Sequence, residues 1–268
     1  MSESILDDIV AGVRKRLQWT PEAPGLERAA MRVVERRRVP QRSLRNALAD
    51  GDIEIIAECK KASPSAGVIR ESFDPVQLAQ SYAAGDAAAI SVVTERDAFA
   101  GDPLWLIDVR KAVNIPVLRK DFILERRQLF ETVLLGADAV LLITRILSER
   151  RLKELMGTAE MLELEVLLEI FADEDPARAV DSGAPIIGVN ARDLSTFEIR
   201  LDRVEAAVEK IPDDRIRVAE SGITGPKDVD RLHAAGYHAF LVGEHLVRSS
   251  DPEREVRRLN GRFPRSGA

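Results

Sequence analysis

Eight short apolar runs at regular intervals constrain the fold of this chain more than any other feature. They are IEIIAE (53–58), AAISVVT (88–94), IPVLRK (115–120), DAVLLI (138–143), EVLLEI (165–170), PIIGVN (185–190), RIRVAE (215–220) and HAFLVG (238–243). From the end of one run to the end of the next the chain advances 20 to 36 residues, room for one helix and two short loops. Runs this apolar on both faces need cover on both sides, the habit of parallel strands joined by helices.

The connecting stretches carry helix signals. Asp74-Pro75, Asp102-Pro103 and Asp251-Pro252 each offer a side-chain acceptor and then a proline suited to the first helical position. Ser148 opens SERRLKELMGTAEML, where Leu152, Leu155, Met156, Ala159 and Leu162 recur at helical spacing. AAGDAAAIS, LLGADAVLL, DSGAPIIG and AAGYHAFL each place a glycine where a left-handed cap would end a helix before a strand. Eight such units predict an α/β fold closed into a (β/α)8 TIM barrel. An open doubly wound sheet is the alternative, but the glycine-rich fingerprint of a dinucleotide fold is missing. Residues 1–48 hold two helical patterns, near 3–17 and 25–37, the second running into Arg36 to Arg38. They are expected to form an added cap on a single barrel domain spanning 1–268.

Composition narrows the partners. The chain is 45% hydrophobic and carries a net charge of −6, so its surface as a whole has no attraction for nucleic acid or anionic lipid. Its one cysteine, Cys59, cannot form an internal disulfide, which suits a reducing compartment. No run approaches the roughly 18 apolar residues of a membrane span. A cytoplasmic protein with neither nucleic-acid nor membrane partner is expected, and a monomer is the favoured assembly. His233, His238 and His245 fall in different elements, so no metal is expected. Ser63 and Ser65 flank Pro64 without an identifiable histidine base, which suits a loop closing over ligand better than a nucleophile.

The ends of the runs are where charge collects. Side chains alternate along a strand, so Glu58 and Lys60 share a face and Cys59 takes the other. Arg119 and Lys120, Glu169, Asn190 and Arg192, and Glu220 close other runs. A lone charge in such a place ordinarily marks the chain entering solvent. Acids and lysines converging on one barrel rim, where this fold keeps its active sites, point instead to acid–base chemistry. The turns ESGITGP (220–226) and VGEHL (242–246) follow the seventh and eighth runs, where barrels commonly hold phosphate on backbone N–H groups. Each turn also serves as an ordinary helix cap.

Read together, IAECKKASPS, ISVVTE, PVLRKDFI, GADAVLLI, IGVNARDL, AESGI and AFLVGE resemble the indole-3-glycerol-phosphate synthases of tryptophan biosynthesis over about residues 50–250. The resemblance implies a (β/α)8 barrel whose N-terminal helical segment, residues 1–48, lies over the mouth. It implies a carboxy-lyase acting on a phosphorylated anilino-sugar, 1-(2-carboxyphenylamino)-1-deoxyribulose 5-phosphate, with neither cofactor nor metal. By the same resemblance Lys120 is the general acid, Glu169 the acid–base partner in dehydration, Glu58 an electrostatic support and Lys60 a partner for the substrate carboxylate. Asn190, Arg192, Glu220 and the loop residues Ser63, Pro64 and Ser65 are implied to bind substrate, and Phe99, Phe122 and Leu141 to face its ring. Ser221, Gly222, Gly243 and Glu244 are implied at the phosphate. Three residues depart from the family pattern: Ala191 in NAR, Phe171 in LEIF and Asp102 in FAGD. Another phosphate-binding barrel, such as a sugar-phosphate isomerase or an aldolase forming a Schiff base on Lys120, and a non-catalytic ligand-binding barrel stand as alternatives.

Overall fold

A computed structural model of the chain describes residues 4–37, 41–50, 52–172, 174, 176–193 and 198–262. Eight parallel strands close into a barrel: β1 (Glu54–Cys59), β2 (Ala89–Val93), β3 (Val117–Lys120), β4 (Ala139–Ile143), β5 (Glu165–Phe171), β6 (Ile186–Asn190), β7 (Ile216–Glu220) and β8 (Ala239–Val242). β1 pairs with both β2 and β8, which closes the ring. Each of the eight apolar runs supplies one of these strands. Ile56, Leu118, Leu141, Leu167, Val218 and Leu241, all buried, lie among the strands beneath the charged rim. The open doubly wound sheet is therefore excluded.

Local signals placed most helices. Asp74 accepts from the backbone N–H groups of Val76 and Gln77 and starts the helix Pro75–Ala84. Asp251 and Ser148 cap Pro252–Leu259 and Glu149–Met161 in the same way. Asp102 differs. Its carboxylate accepts from Leu104 N, so it orders the turn before the helix Trp105–Ala112 rather than capping that helix. Gly136, Gly183 and Gly236 adopt the expected positive φ, but Gly85 does not; Asp86 beside it does, at φ 64°. Gly85 is required for a different reason: a Cβ there would lie 2.5 Å from Glu253 O and 2.9 Å from Val256 Cβ. The glycine lets the C-terminal helix pack directly on the backbone.

Among the described residues the segment before β1 forms three helices, α1 (Ile5–Trp19), α2 (Leu26–Glu35) and α3 (Leu44–Ala49). Ser4 and Asp7 form a reciprocal capping box on α1. The three helices serve opposite ends of the barrel. Ile5 and Ile9 of α1 reach the mouth. α3 packs at the other end, where Glu165, the first residue of β5, accepts from Ser43 Oγ at 2.8 Å and Arg45 N at 2.9 Å. Arg37 also lies on that side and pairs with Glu163 at 3.2 Å, while Arg38 falls outside the described residues. Among the described residues no helix is long and apolar enough to cross a membrane.

Candidate active site

The C-terminal ends of the strands surround a cavity of about 560 Å³. Adjacent strands pair so that residues at or near their C-terminal ends fall level, Val93 beside Lys120, Ile143 beside Glu169 and Asn190 beside Glu220. Alternation then sends Lys120 inward and Arg119 outward. Arg119 is buried behind the sheet and bonds Thr94 Oγ1, Gln128 O, Thr132 Oγ1 and Asp121, so it is a structural residue. Cys59 likewise turns away from the cavity, toward Pro75 O, and burial pushes its thiol pKa up.

Lys120 Nζ sits between two carboxyl groups, 2.9 Å from Glu169 Oε2 and 2.9 Å from Glu220 Oε2. Burial works against its charge, yet Glu169, Glu220 and Glu58 together outweigh that and raise its pKa. One cation cannot neutralise two acids. Burial, reinforced by the nearby Glu169 charge and opposed by Lys120, pushes the Glu220 carboxyl up to about 8. Glu220 Oε1 has no hydrogen-bond partner among the described residues and lies against Gly188, where a Cβ would come within 2.1 Å of it. Gly188 is therefore what admits Glu220 beneath Lys120.

A second pair lies across the floor. Lys60 Nζ is 3.0 Å from Glu58 Oε1, and Ser91 Oγ is 3.5 Å from Glu58 Oε2. Burial favours the neutral acid, but Lys60 and Lys120 overcome it and hold Glu58 below the usual carboxylate range. Gly243 serves this pair: a Cβ on it would stand 2.5 Å from Glu58 Oε1 and 3.2 Å from Lys60 Nζ. Its bare Cα thus faces side chains as well as the mouth.

The remaining sequence candidates gather round these pairs. Ser63, Pro64, Ser65, Phe99, Phe122, Leu141, Asn190, Arg192, Ser221, Gly222 and Glu244 all line the same cavity. Ser63 and Ser65 belong to an unanticipated small hairpin, Ala62–Ser63 with Gly67–Val68, and Arg192 Nη1 donates to Ser65 Oγ at 3.3 Å. Asn190 Oδ1 accepts from Arg192 N at 3.0 Å. Phe99 and Phe122 stand 6.2 Å apart on one wall. On the opposite side Ser221 and Gly222 both take positive φ, 67° and 76°, and Glu244 pairs with Arg248 at 3.0 Å. A strained non-glycine residue at such a turn is typical of functional sites.

Sequence reasoning missed several lining residues: Ile5, Ile9, Glu95, Asp121, Thr224 and Arg248. Glu95 carried a signal like that of Glu58, an acid at the C-terminal end of an apolar run, and was legible on that basis. Ile5 and Ile9 had no local signal, because helix α1 meets the mouth only in the folded chain. The departures Phe171, Ala191 and Asp102 do not line the cavity. Phe171 is buried beneath Arg145, whose guanidinium lies 4.2 Å from the ring centre. His233 and His245 bond Tyr237 O and Glu255, and no group of metal-ligating side chains occurs among the described residues.

Comparison with known proteins bears on the family and on the fold. The family model for indole-3-glycerol phosphate synthase matches residues 6–259. The indole-3-glycerol phosphate synthase of Nocardioides sp. is 46% identical over 260 residues, covering 96% of this chain and 98% of that protein. Its counterpart from Aliarcobacter butzleri is 41% identical over 246 residues, covering 91% and 94%. Among solved structures, thiamine phosphate pyrophosphorylase from Pyrococcus furiosus superposes with a TM-score of 0.61 at 15% identity, covering 82% of this chain and 96% of that one. The 3-hexulose-6-phosphate synthase from Salmonella typhimurium gives 0.63 at 15% identity, covering 78% and 97%. At that identity the two likenesses establish the fold alone. The length of the family match and the level of identity place this chain in the indole-3-glycerol phosphate synthase family, the carboxy-lyases of tryptophan biosynthesis.

Proposed function

We propose that Lys120, Glu169, Glu58 and Lys60 perform the ring closure, decarboxylation and dehydration of 1-(2-carboxyphenylamino)-1-deoxyribulose 5-phosphate. The observation that carries the reading is Lys120 Nζ held 2.9 Å from both Glu169 and Glu220 on the cavity floor. A lysine so placed stays protonated and serves as an acid. Lys120 gives its proton to the ketone oxygen while the ring carbon bearing the carboxylate forms a bond to the ketone carbon. The resulting cationic ring needs negative charge close by, and Glu58, kept ionised by Lys60, supplies it. Lys60 holds the substrate carboxylate until the C–CO2 bond breaks and its electron pair restores the aromatic ring. Glu169 then assists loss of the new hydroxyl as water and removal of the proton that completes the indole.

Binding follows the walls. Phe99, Phe122, Leu141 and Pro64 take the anilino ring, while Asn190, Arg192, Glu220 and the Ser63–Ser65 loop take the sugar chain. The phosphate lies at the turns of Ser221, Gly222 and Gly243, with Glu244 neutralised by Arg248 beside it. An α1 helix closing the mouth and a monomeric, cytoplasmic enzyme belong to the same reading. A Schiff base on Lys120 is disfavoured, because an ammonium held 2.9 Å from both Glu169 and Glu220 has its pKa raised and offers no lone pair to attack a carbonyl. The test is to supply the anilino-ribulose phosphate and follow indole fluorescence. Turnover lost in Lys120→Ala and Glu169→Gln but retained in the parent chain supports the roles; turnover retained in both variants rejects them.

A further inference from the structure

Glu95 is a buried acid that the proposed chemistry does not use. It stands just past β2 and is only 2% exposed. Most of its hydrogen-bonding capacity is taken up by a loop. Oε1 accepts from Asp97 N at 3.1 Å, and Oε2 from Ala98 N at 2.7 Å and Phe99 N at 3.2 Å. The loop then folds back, with Gly101 N donating to Glu95 O at 2.8 Å and Ala100 held at φ 50°. Phe99, fixed at the centre of this turn, presents its ring to the cavity beside Phe122.

The same carboxylate reaches helix α1. Arg16 Nη2 lies 3.5 Å from Glu95 Oε1, and Arg16 Nη1 donates to Asp97. Two turns earlier on that helix, Ile9 and then Ile5 line the mouth. One acid thus fixes both an aromatic wall and the helix whose apolar side chains face the opening.

We infer that Glu95 is a positioning residue for the aromatic end of the substrate, acting through Phe99 and, by way of Arg16, through α1. The inference rests on the reading that Phe99 and Phe122 receive the anilino ring. Charge-assisted bonds to three consecutive-loop N–H groups are stronger than neutral ones, so an amide cannot replace the carboxylate without loosening the turn. Displacing one aromatic contact corresponds to about a tenfold loss of affinity.

The experiment compares the full-length parent chain with Glu95→Gln and Arg16→Met. Steady-state turnover of the anilino-ribulose phosphate gives KM and kcat, and inorganic phosphate serves as a ring-free competitive inhibitor. Glu95→Gln is expected to raise KM about tenfold, leave kcat within about twofold and leave the phosphate inhibition constant unchanged. Arg16→Met keeps every backbone bond to the carboxylate and is expected to raise KM by a smaller factor, again with phosphate inhibition unchanged; it decides the matter if Glu95→Gln does not fold. An unchanged KM in both variants overturns the inference, as does a parallel loss of phosphate affinity, which marks general distortion. Absence of turnover in the parent chain is a separate result and counts against the functional reading itself.

Discussion

Replacing Gly188 by alanine tests how the three-residue cluster around Lys120 is built. The new Cβ would fall 2.1 Å from Glu220 Oε1, 3.1 Å from its carboxyl carbon and 3.2 Å from Leu167 Cδ1. Ordinary contact begins near 3.4 Å, so the Glu220 carboxylate must retreat by more than about 1 Å. That is enough to break its 2.9 Å bond to Lys120. A displacement of this size in a catalytic constellation costs about 100-fold in rate, and overpacking the barrel interior costs about 1–3 kcal/mol of stability. The assay is steady-state turnover beside thermal unfolding. Gly188→Ala is expected to fold with a moderately lowered Tm and to lose turnover far beyond what that loss of stability explains. A variant with parental kcat refutes the placement of Glu220 against Gly188 as a requirement for activity.

Other outcomes follow from the same packing and charge arrangement. Glu220 holds its proton up to about 8, so ionisation above that pH tightens the grip on the Lys120 proton; turnover should decline through that range, and a decline that survives in Glu220→Gln refutes its assignment to this group. The folded state binds the Glu220 proton from the unfolded carboxyl range, near about 4.3, up to its own raised value. This group's contribution to stability therefore falls as pH rises across that window and is level above it, which denaturant titrations of parent and Glu220→Gln at several pH values will measure. Gly85→Ala, forced against Glu253 O at 2.5 Å, is expected to lose about 1–3 kcal/mol in chemical denaturation. Gly157→Ala, inside Glu149–Met161 with nothing within 4 Å of the added methyl, should gain about 0.5–1 kcal/mol; equal effects at the two sites would contradict the packing described.

The fold was legible because its determinants are local. Each strand announced itself by an apolar run, and Asp74, Ser148 and Asp251 announced helices by chemistry that acts within three residues. The rim was legible for a related reason: a period of two separates Glu58 from Cys59 without knowledge of any partner strand, whereas Arg119, grouped with Lys120 among the charges at the strand ends, lies buried behind the sheet. What stayed hidden depends on meetings between distant segments. Nothing local in PIIGVN says that Gly188 must make way for Glu220, and nothing in the N-terminal helix says that Ile9 meets the mouth or that Arg16 reaches Glu95. Gly85 illustrates the converse, a glycine foreseen at the right place for a conformational reason but required by contact with the C-terminal helix.

The most direct measurement is a single-turnover experiment on Lys120→Ala with the anilino-ribulose phosphate, following indole fluorescence after mixing. Loss of a positioned general acid should slow the chemical step by about 100-fold or more while substrate affinity stays within a few-fold of the parent chain. Formation of indole at the parental rate in that variant would contradict the assignment of Lys120 as the acid between Glu169 and Glu220.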